Sequence, residues 1–170
     1  WVKVLMPSCV VVIPVYRWPL RRTEVFSLLR TIKILHNYRI VLIGPEKIVC
    51  QFPRYVQGKE VNALAFPDGY FLSVSSYNRL LMSRVFYSAL SSYEYMLIVQ
   101  LDALVLKDEL KYWCDMGYSY IGAPWFNGFA TPQEPYRLFG VGNGGFSLRS
   151  IHDCLKVLSG YRYVPKKNGS

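Results

Sequence analysis

The chain of 170 residues has no apolar run near the roughly 20 residues that a bilayer-crossing helix needs. Its longest apolar stretches, CVVVIP and YMLIV, are the size of strands. It is short of acids, with 11 Asp and Glu against 20 Lys and Arg and a net charge of +9. Histidine occurs twice, and the four cysteines (Cys9, Cys50, Cys114, Cys154) stand far apart with no C-x-x-C pair. That spacing argues against a zinc site or a disulfide framework, and reads instead as buried free thiols in a reducing compartment. No internal repeat, low-complexity tract or signal-peptide pattern is visible. The first residue is Trp1 rather than Met and the last five are KKNGS, so the expectation is a piece of a longer protein.

What is present is a globular composition, 52% hydrophobic and 18% charged, at a length that suits one domain with a real core. The positive charge is uneven. From Trp1 to Pro45 there are seven Lys or Arg and one acid, Glu24; beyond Ile151 the single acid is Asp153 against Lys156, Arg162, Lys166 and Lys167. Such a balance suits phosphate-bearing ligands, anionic lipid or nucleic acid, without choosing among them.

Along the chain, strands and helices alternate. SCVVVIPVY is apolar on both faces, as a covered parallel strand is. In the next segment Val25, Leu28, Leu29, Ile32 and Leu35 form the stripe of an amphipathic helix, with Thr23 as its N-cap. His36 at its end reads as a surface residue. YRIVLIGP is a second buried strand, and a short strand is expected around Val61 to Phe66. SVSSYNRLLMSRVFYSAL reads as one helix with Tyr77, Leu81, Val85 and Ala89 on one side. YEYMLIVQLDALVL is a buried strand that runs into Asp102. Asp108 and Glu109 open a short helix that Gly117 ends, and YSYIGAPW is a strand ended by Pro124. FSLRS is strand-like, and Ser150 with Asp153 forms a capping box for a last helix. The alternation predicts an α/β fold, a three-layer α/β/α sandwich around a mostly parallel central sheet.

Two stretches carry chemistry. In FGVGNGGFSLRS, Gly140, Gly142 and Gly145 spell G-x-G-x-x-G, the dinucleotide-binding fingerprint. Such a fingerprint leaves a hydrophobic strand, opens a helix and meets an acid about 20 residues later. Here EPYRLF precedes it, a strand-like FSLRS follows, and GYRYV supplies no acid. The glycines read instead as a tight turn, or as a pocket floor where Asn143 offers amide hydrogen bonds to a polar substrate such as a sugar. The second stretch is LIVQLDALVL. An ionised Asp102 among apolar neighbours is costly unless paired or bound to a cation. At the carboxyl end of a strand it is placed to hold Mg²⁺ or Mn²⁺ shared with diphosphate oxygens; the alternative is a carboxylate that caps a turn or pairs with an Arg.

Together these segments resemble the family A (GT-A) glycosyltransferases. VVIPVYR is similar to their opening strand, IVQLDALVL to their D-x-D region, and GVGNGGFSLR to their glycine-rich acceptor-side motif. With YFLSVSSYNRLLMSRVFYSAL and YIGAPW, the pattern resembles a bacterial glycosyltransferase-like domain over about Val11 to Leu158. The resemblance implies one GT-A-like domain over 1–170, truncated at its C-terminus, with a nucleotide-binding part over 1–100 and a metal and acceptor part over 101–170. It implies that Pro14, Val15 and Tyr16 flank the nucleotide base and that Arg17 reaches the diphosphate. Asn78 and Arg79 would face the donor ribose or phosphates. Asp102 corresponds to the last Asp of D-x-D, as the metal ligand, and Gln100 replaces the first and counts with the donor site. Trp125, Asn143, Gly144 and Gly145 would border the sugar and acceptor.

A second departure is that no E-D pair follows Gly145 to supply a catalytic base, which the resemblance then places beyond Ser170; His152 lies too close to the motif to be the family's distal metal ligand. The implied reaction is transfer of a sugar from a nucleotide diphosphate to the hydroxyl of a glycan or lipid-linked acceptor, as in polysaccharide biosynthesis, with Mn²⁺ or Mg²⁺ as cofactor. The implied place is cytoplasmic, at the inner face of a membrane that the basic surface approaches. Two rivals are a nucleic-acid-binding module, suggested by charge and 16% aromatic content, and a nucleotidyltransferase. The first lacks an R-G-F-type signature; the second lacks a Gly-rich loop after its first strand.

Overall fold

The apolar runs form the middle of a sheet. In the computed structural model, which describes residues 8–128, 131 and 133–160, Cys9–Pro14 (β1) is buried at every position and Arg39–Gly44 (β2) at all but its first. β1 pairs in parallel with β2 on one side and with Tyr95–Val99 (β5) on the other. Lys59–Ala65 (β4) extends the parallel set beyond β2, and the two-residue Tyr55–Val56 (β3) closes that edge antiparallel. On the far side, Leu138–Ser150 (β7) runs antiparallel to β5, and Tyr120–Phe126 (β6) antiparallel to β7. The seven strands lie in the order β3-β4-β2-β1-β5-β7-β6. The expected α/β sandwich is what the chain forms.

Helices cover both faces because the side chains of the buried strands alternate. On one face Val11 and Ile13 of β1 meet Leu28 and Ile32 of Arg22–Ile34 (α1), Val49 of Glu46–Val49 (α2) and Leu110 of Leu110–Asp115 (α5). On the other face Val10 and Val12 meet Leu80 of Val74–Leu81 (α3), Phe86 of Arg84–Ser88 (α4) and Ile151 of Ile151–Gly160 (α6). No helix among the described residues is long and apolar enough to cross a membrane.

Several local expectations change. α1 starts at Arg22 with Arg21 as N-cap, not Thr23, and the Glu24 carboxylate accepts from the Arg21 backbone N–H at 2.8 Å. Its buried face is Ser27, Leu28, Thr31 and Ile32, while Val25 is exposed. The single helix expected over SVSSYNRLLMSRVFYSAL is two. Ser83 is extended, its Oγ accepts from the Phe86 N–H and its hydroxyl donates to Leu80 O at 2.7 Å. Ser side chains compete with the helical ladder in this way. The break turns Phe86 and Tyr87 into the core and leaves Val85 outside.

The glycine stretch, read as a turn or pocket floor, lies within the continuous 13-residue strand β7. That geometry also removes the dinucleotide fingerprint, which needs a strand-to-helix turn. β6 continues past Pro124 to Phe126, with register shifts at three places. Gly117, at φ +71°, ends α5 as expected. Ser150 accepts from the Asp153 N–H, but the Asp153 carboxylate turns to the Ser119 hydroxyl at 2.7 Å rather than closing the box. Cys9 and Cys114 are buried free thiols, whereas Cys50 is exposed. A hydrogen bond donated to Cys114, together with burial, pushes the Cys9 thiol pKa well up.

Phe86 is wholly buried between Phe66 and Tyr87. Phe86→Ala is therefore expected to lower the unfolding free energy by about 3–5 kcal/mol, read from the urea midpoint with the slope unchanged.

Candidate functional site

The path of the chain opens a gap at one edge of the sheet. From β1 it crosses by α1 to β2, on one side; from β4 it crosses by α3 and α4, over the opposite face, to β5 on the other side of β1. The carboxyl ends of β1 and β5 are therefore neighbours, while the crossovers that leave β1 and β4 part to opposite faces. Ligands collect at such switch points in open α/β sheets. A cleft of about 1240 Å³ lies there.

Ten of the twelve residues singled out from the sequence line this cleft. Pro14, Val15, Tyr16 and Arg17 follow β1, Gln100 and Asp102 follow β5, Asn78 comes from α3, and Asn143, Gly144 and Gly145 come from β7. The other two do not. Arg79 is one step around α3 from Asn78, about 100° away, and is exposed outside the cleft. Trp125 lies on β6, where its ring covers Gly142 at 3.2 Å from the point a Cβ would take.

Asp102 sits on a turn held from three directions. Ala103 N–H donates to Gln100 O at 2.9 Å and closes the turn; Gln100 N–H donates to Gly145 O at 2.8 Å and ties it to β7. The Ser27 hydroxyl of α1 donates to Ala103 O at 2.5 Å, and Arg30 Nε donates to Val105 O at 2.9 Å. Leu101 and Val105 anchor the segment in the core. Asp102 itself is exposed, and no hydrogen bond or ion pair among the described residues engages it. The alternative expectation, a carboxylate paired with an Arg, does not describe it.

Gly144 and Gly145 now have a cause. A Cβ on Gly145 would stand 2.6 Å from Gln100 Oε1, and one on Gly144 would stand 2.9 Å from Arg149 Nη2. Neighbouring side chains occupy the space, so larger residues are excluded for want of room. Asn143 Oδ1 accepts from Gly145 N–H at 3.0 Å, and Asn143 O accepts from the Tyr120 hydroxyl at 3.1 Å.

Across the cleft, Arg17, Arg21, Arg22 and Glu24 lie near the start of α1. Arg17 pairs with Glu24 and stacks on the ring of Tyr16, with its guanidinium carbon 5.4 Å from the centroid. Burial pushes the Glu24 carboxyl up, but Arg17 and the Arg21 N–H outweigh it and hold the pKa below the ordinary value. The lips are apolar: Tyr16, Phe26, Leu72 and Val74 are all exposed. Sequence reasoning missed Glu24, Ser27 and the Phe71–Val74 segment of the wall. Ser27 had a signal, a hydroxyl beside Leu28 on the face that turns inward.

Among the described residues no group of three or more His, Cys, Asp or Glu could hold a metal ion. The donors at hand, the Asp102 carboxylate and the Gln100 amide, do not fit an all-protein cage. They do fit Mg²⁺ brought in with phosphates, which keeps waters and takes one or two carboxylates.

Residues 60–169 match the family described as "Protein of unknown function (DUF5672)". The chain belongs to the DUF5672 family. The matched region runs from β4 through α6, so the DUF5672 part contributes Asn78, Gln100, Asp102 and the glycine wall, while the wall after β1 precedes it. No curated protein matches the chain.

The Glu24 pairing sets a pH signature. A carboxyl with a depressed folded-state pKa adds stability that is full above its unfolded value, 4.5, and is lost as pH falls through the folded value. Glu24→Gln is thus expected to melt below wild type at pH 7, with the gap closing in a series taken down through pH 4.5.

Proposed function

We propose that this chain is the donor-binding part of a GT-A-type glycosyltransferase, which moves a sugar from a nucleoside diphosphate to an acceptor hydroxyl. The observation that carries the reading is the unpaired, exposed carboxylate of Asp102 on a rigid turn, facing the exit of β1 at the sheet's switch point. A free carboxylate on a basic cleft wall has a use when a cation stands between it and phosphate oxygens.

In this reading the exposed ring of Tyr16 offers a face for the nucleotide base, as aromatic rings do. Arg21 and Arg22, which form no ion pair among the described residues, meet the diphosphate, with Arg17 held beside them by Glu24. Gln100 and Asn143 give the sugar one amide each at the glycine wall. A divalent ion held by Asp102 would neutralise charge on the departing diphosphate. The chain's own part is to fix these groups before the bond breaks, so that little reorganisation is needed as charge develops. Deprotonation of the acceptor is assigned to no described residue. The net positive charge suits an acceptor that is lipid-linked at an anionic membrane.

The test is calorimetric titration of UDP-sugars and GDP-sugars in the presence of Mn²⁺. Wild type is expected to bind one nucleotide class, and Asp102→Ala to bind it roughly tenfold or more weakly, the size of one charge-assisted contact. Gln100→Asp, which adds a second carboxylate, is expected to steepen the Mn²⁺ dependence. Binding of neither nucleotide, or equal binding by Asp102→Ala, would sink the reading.

A further inference from the structure

The glycine end of the cleft hides a charge that the donor reading leaves unused. Arg149 of β7 is only 5% exposed. Its Nη1 donates to the Tyr87 hydroxyl at 2.8 Å, its Nε to Ser147 Oγ at 3.1 Å, and its guanidinium carbon lies 5.4 Å from the Tyr120 ring centroid. All three partners are neutral. None of the salt bridges among the described residues includes Arg149. A buried guanidinium without an anion is far costlier than an apolar residue at the same place.

The position of its unused edge is specific. Nη2 lies 2.9 Å from the point where a Gly144 Cβ would stand, beside Leu81 Cδ1. Gly144 and Leu81 both line the cleft, so the guanidinium lies directly behind the wall, with no side chain at position 144 between it and the cleft. Two further donors meet there. Asn143 uses its Oδ1 on Gly145 N–H, which leaves its amide N–H groups for a ligand. The Tyr77 hydroxyl, on the same wall, is sealed from solvent without an acceptor. Burial pushes its pKa up to about 12, against smaller pulls from Gln100 and Arg149, so it remains a donor. Donors and a cation without acceptors match a group that is all lone pairs and negative charge.

We infer that the Gly144 end of the cleft is an anion subsite, which takes the carboxylate or phosphate of an acidic sugar with Arg149 as its counter-charge. That the anion is carried on a sugar rests on the proposed glycosyltransferase reading; that the subsite takes an anion does not.

The experiment is calorimetry at fixed ionic strength with glucose, glucuronate and glucose 6-phosphate, each with and without UDP or GDP and Mg²⁺. One charged sugar is expected to bind roughly tenfold or more tightly than glucose, and the better of the two identifies carboxylate or phosphate. Arg149→Gln removes the preference. Tyr87→Phe, which takes away a neutral anchor and leaves the charge, keeps it. If Arg149→Gln does not fold, Arg149→Met serves, because it removes the charge and keeps much of the side-chain volume. Equal binding of all three sugars, no binding of any, or an unchanged preference in Arg149→Gln (or, in its place, Arg149→Met) overturns the subsite. A preference that persists while no nucleotide binds overturns the glycosyltransferase reading and leaves the subsite standing.

Discussion

The site depends on one constraint: the crossover that leaves β1 and the crossover that leaves β4 must run over opposite faces of the sheet. Right-handed crossovers require that a chain moving one way along a parallel sheet travel over one face, and a chain moving the other way travel over the opposite face. α1 takes the first route and α3 with α4 the second. Nothing then fills the space above the two adjacent strand ends. Every cleft residue is placed by this geometry or by the turn after β5, whose hydrogen bonds to α1 and β7 convert a loop into a fixed part of the wall.

The same geometry sorts the charges. The three arginines near the start of α1 face a wall whose one free carboxylate among the described residues is Asp102, since Glu24 is spent on Arg17 and the Arg21 N–H. A buried guanidinium behind the glycines adds positive potential from the other side. The cleft and the wall behind it thus carry more cationic than anionic side chains. Low-dielectric walls strengthen such a field relative to the open surface.

The central sheet was legible because buried parallel strands announce themselves. CVVVIP, RIVLIG and YMLIV are apolar at nearly every position, and Asp102 stood out against such a background. The split between α3 and α4 was not legible. Leu81 and Val85 hold helical phase, and only the extended backbone of Ser83, set by the need to bury Phe86 and Tyr87, breaks it. FSLRS was read as a strand, but the glycine part of β7 was read as a turn or pocket floor, because glycines carry no side chains whose alternation could betray a strand. Their reason lies in Trp125 and Gln100, from other segments of the chain, and in Arg149, whose side chain folds back along the same strand. Arg79 was set beside Asn78, but the face of α3 that lines the cleft runs through Val74, Tyr77, Asn78 and Leu81, and Arg79 lies off that face, about 100° past Asn78.

The two margins of the sheet carry a consequence of their own. β3 offers two residues, and β6 is interrupted by three register shifts and by Pro124, which has no N–H to give. Bulges and proline spoil a margin as a template for further pairing. A sheet with seven strands and an apolar middle would otherwise invite stacking of one copy's margin onto another's. Here both borders are frayed by construction, which protects the chain against amyloid-like growth and against strand exchange with its own kind.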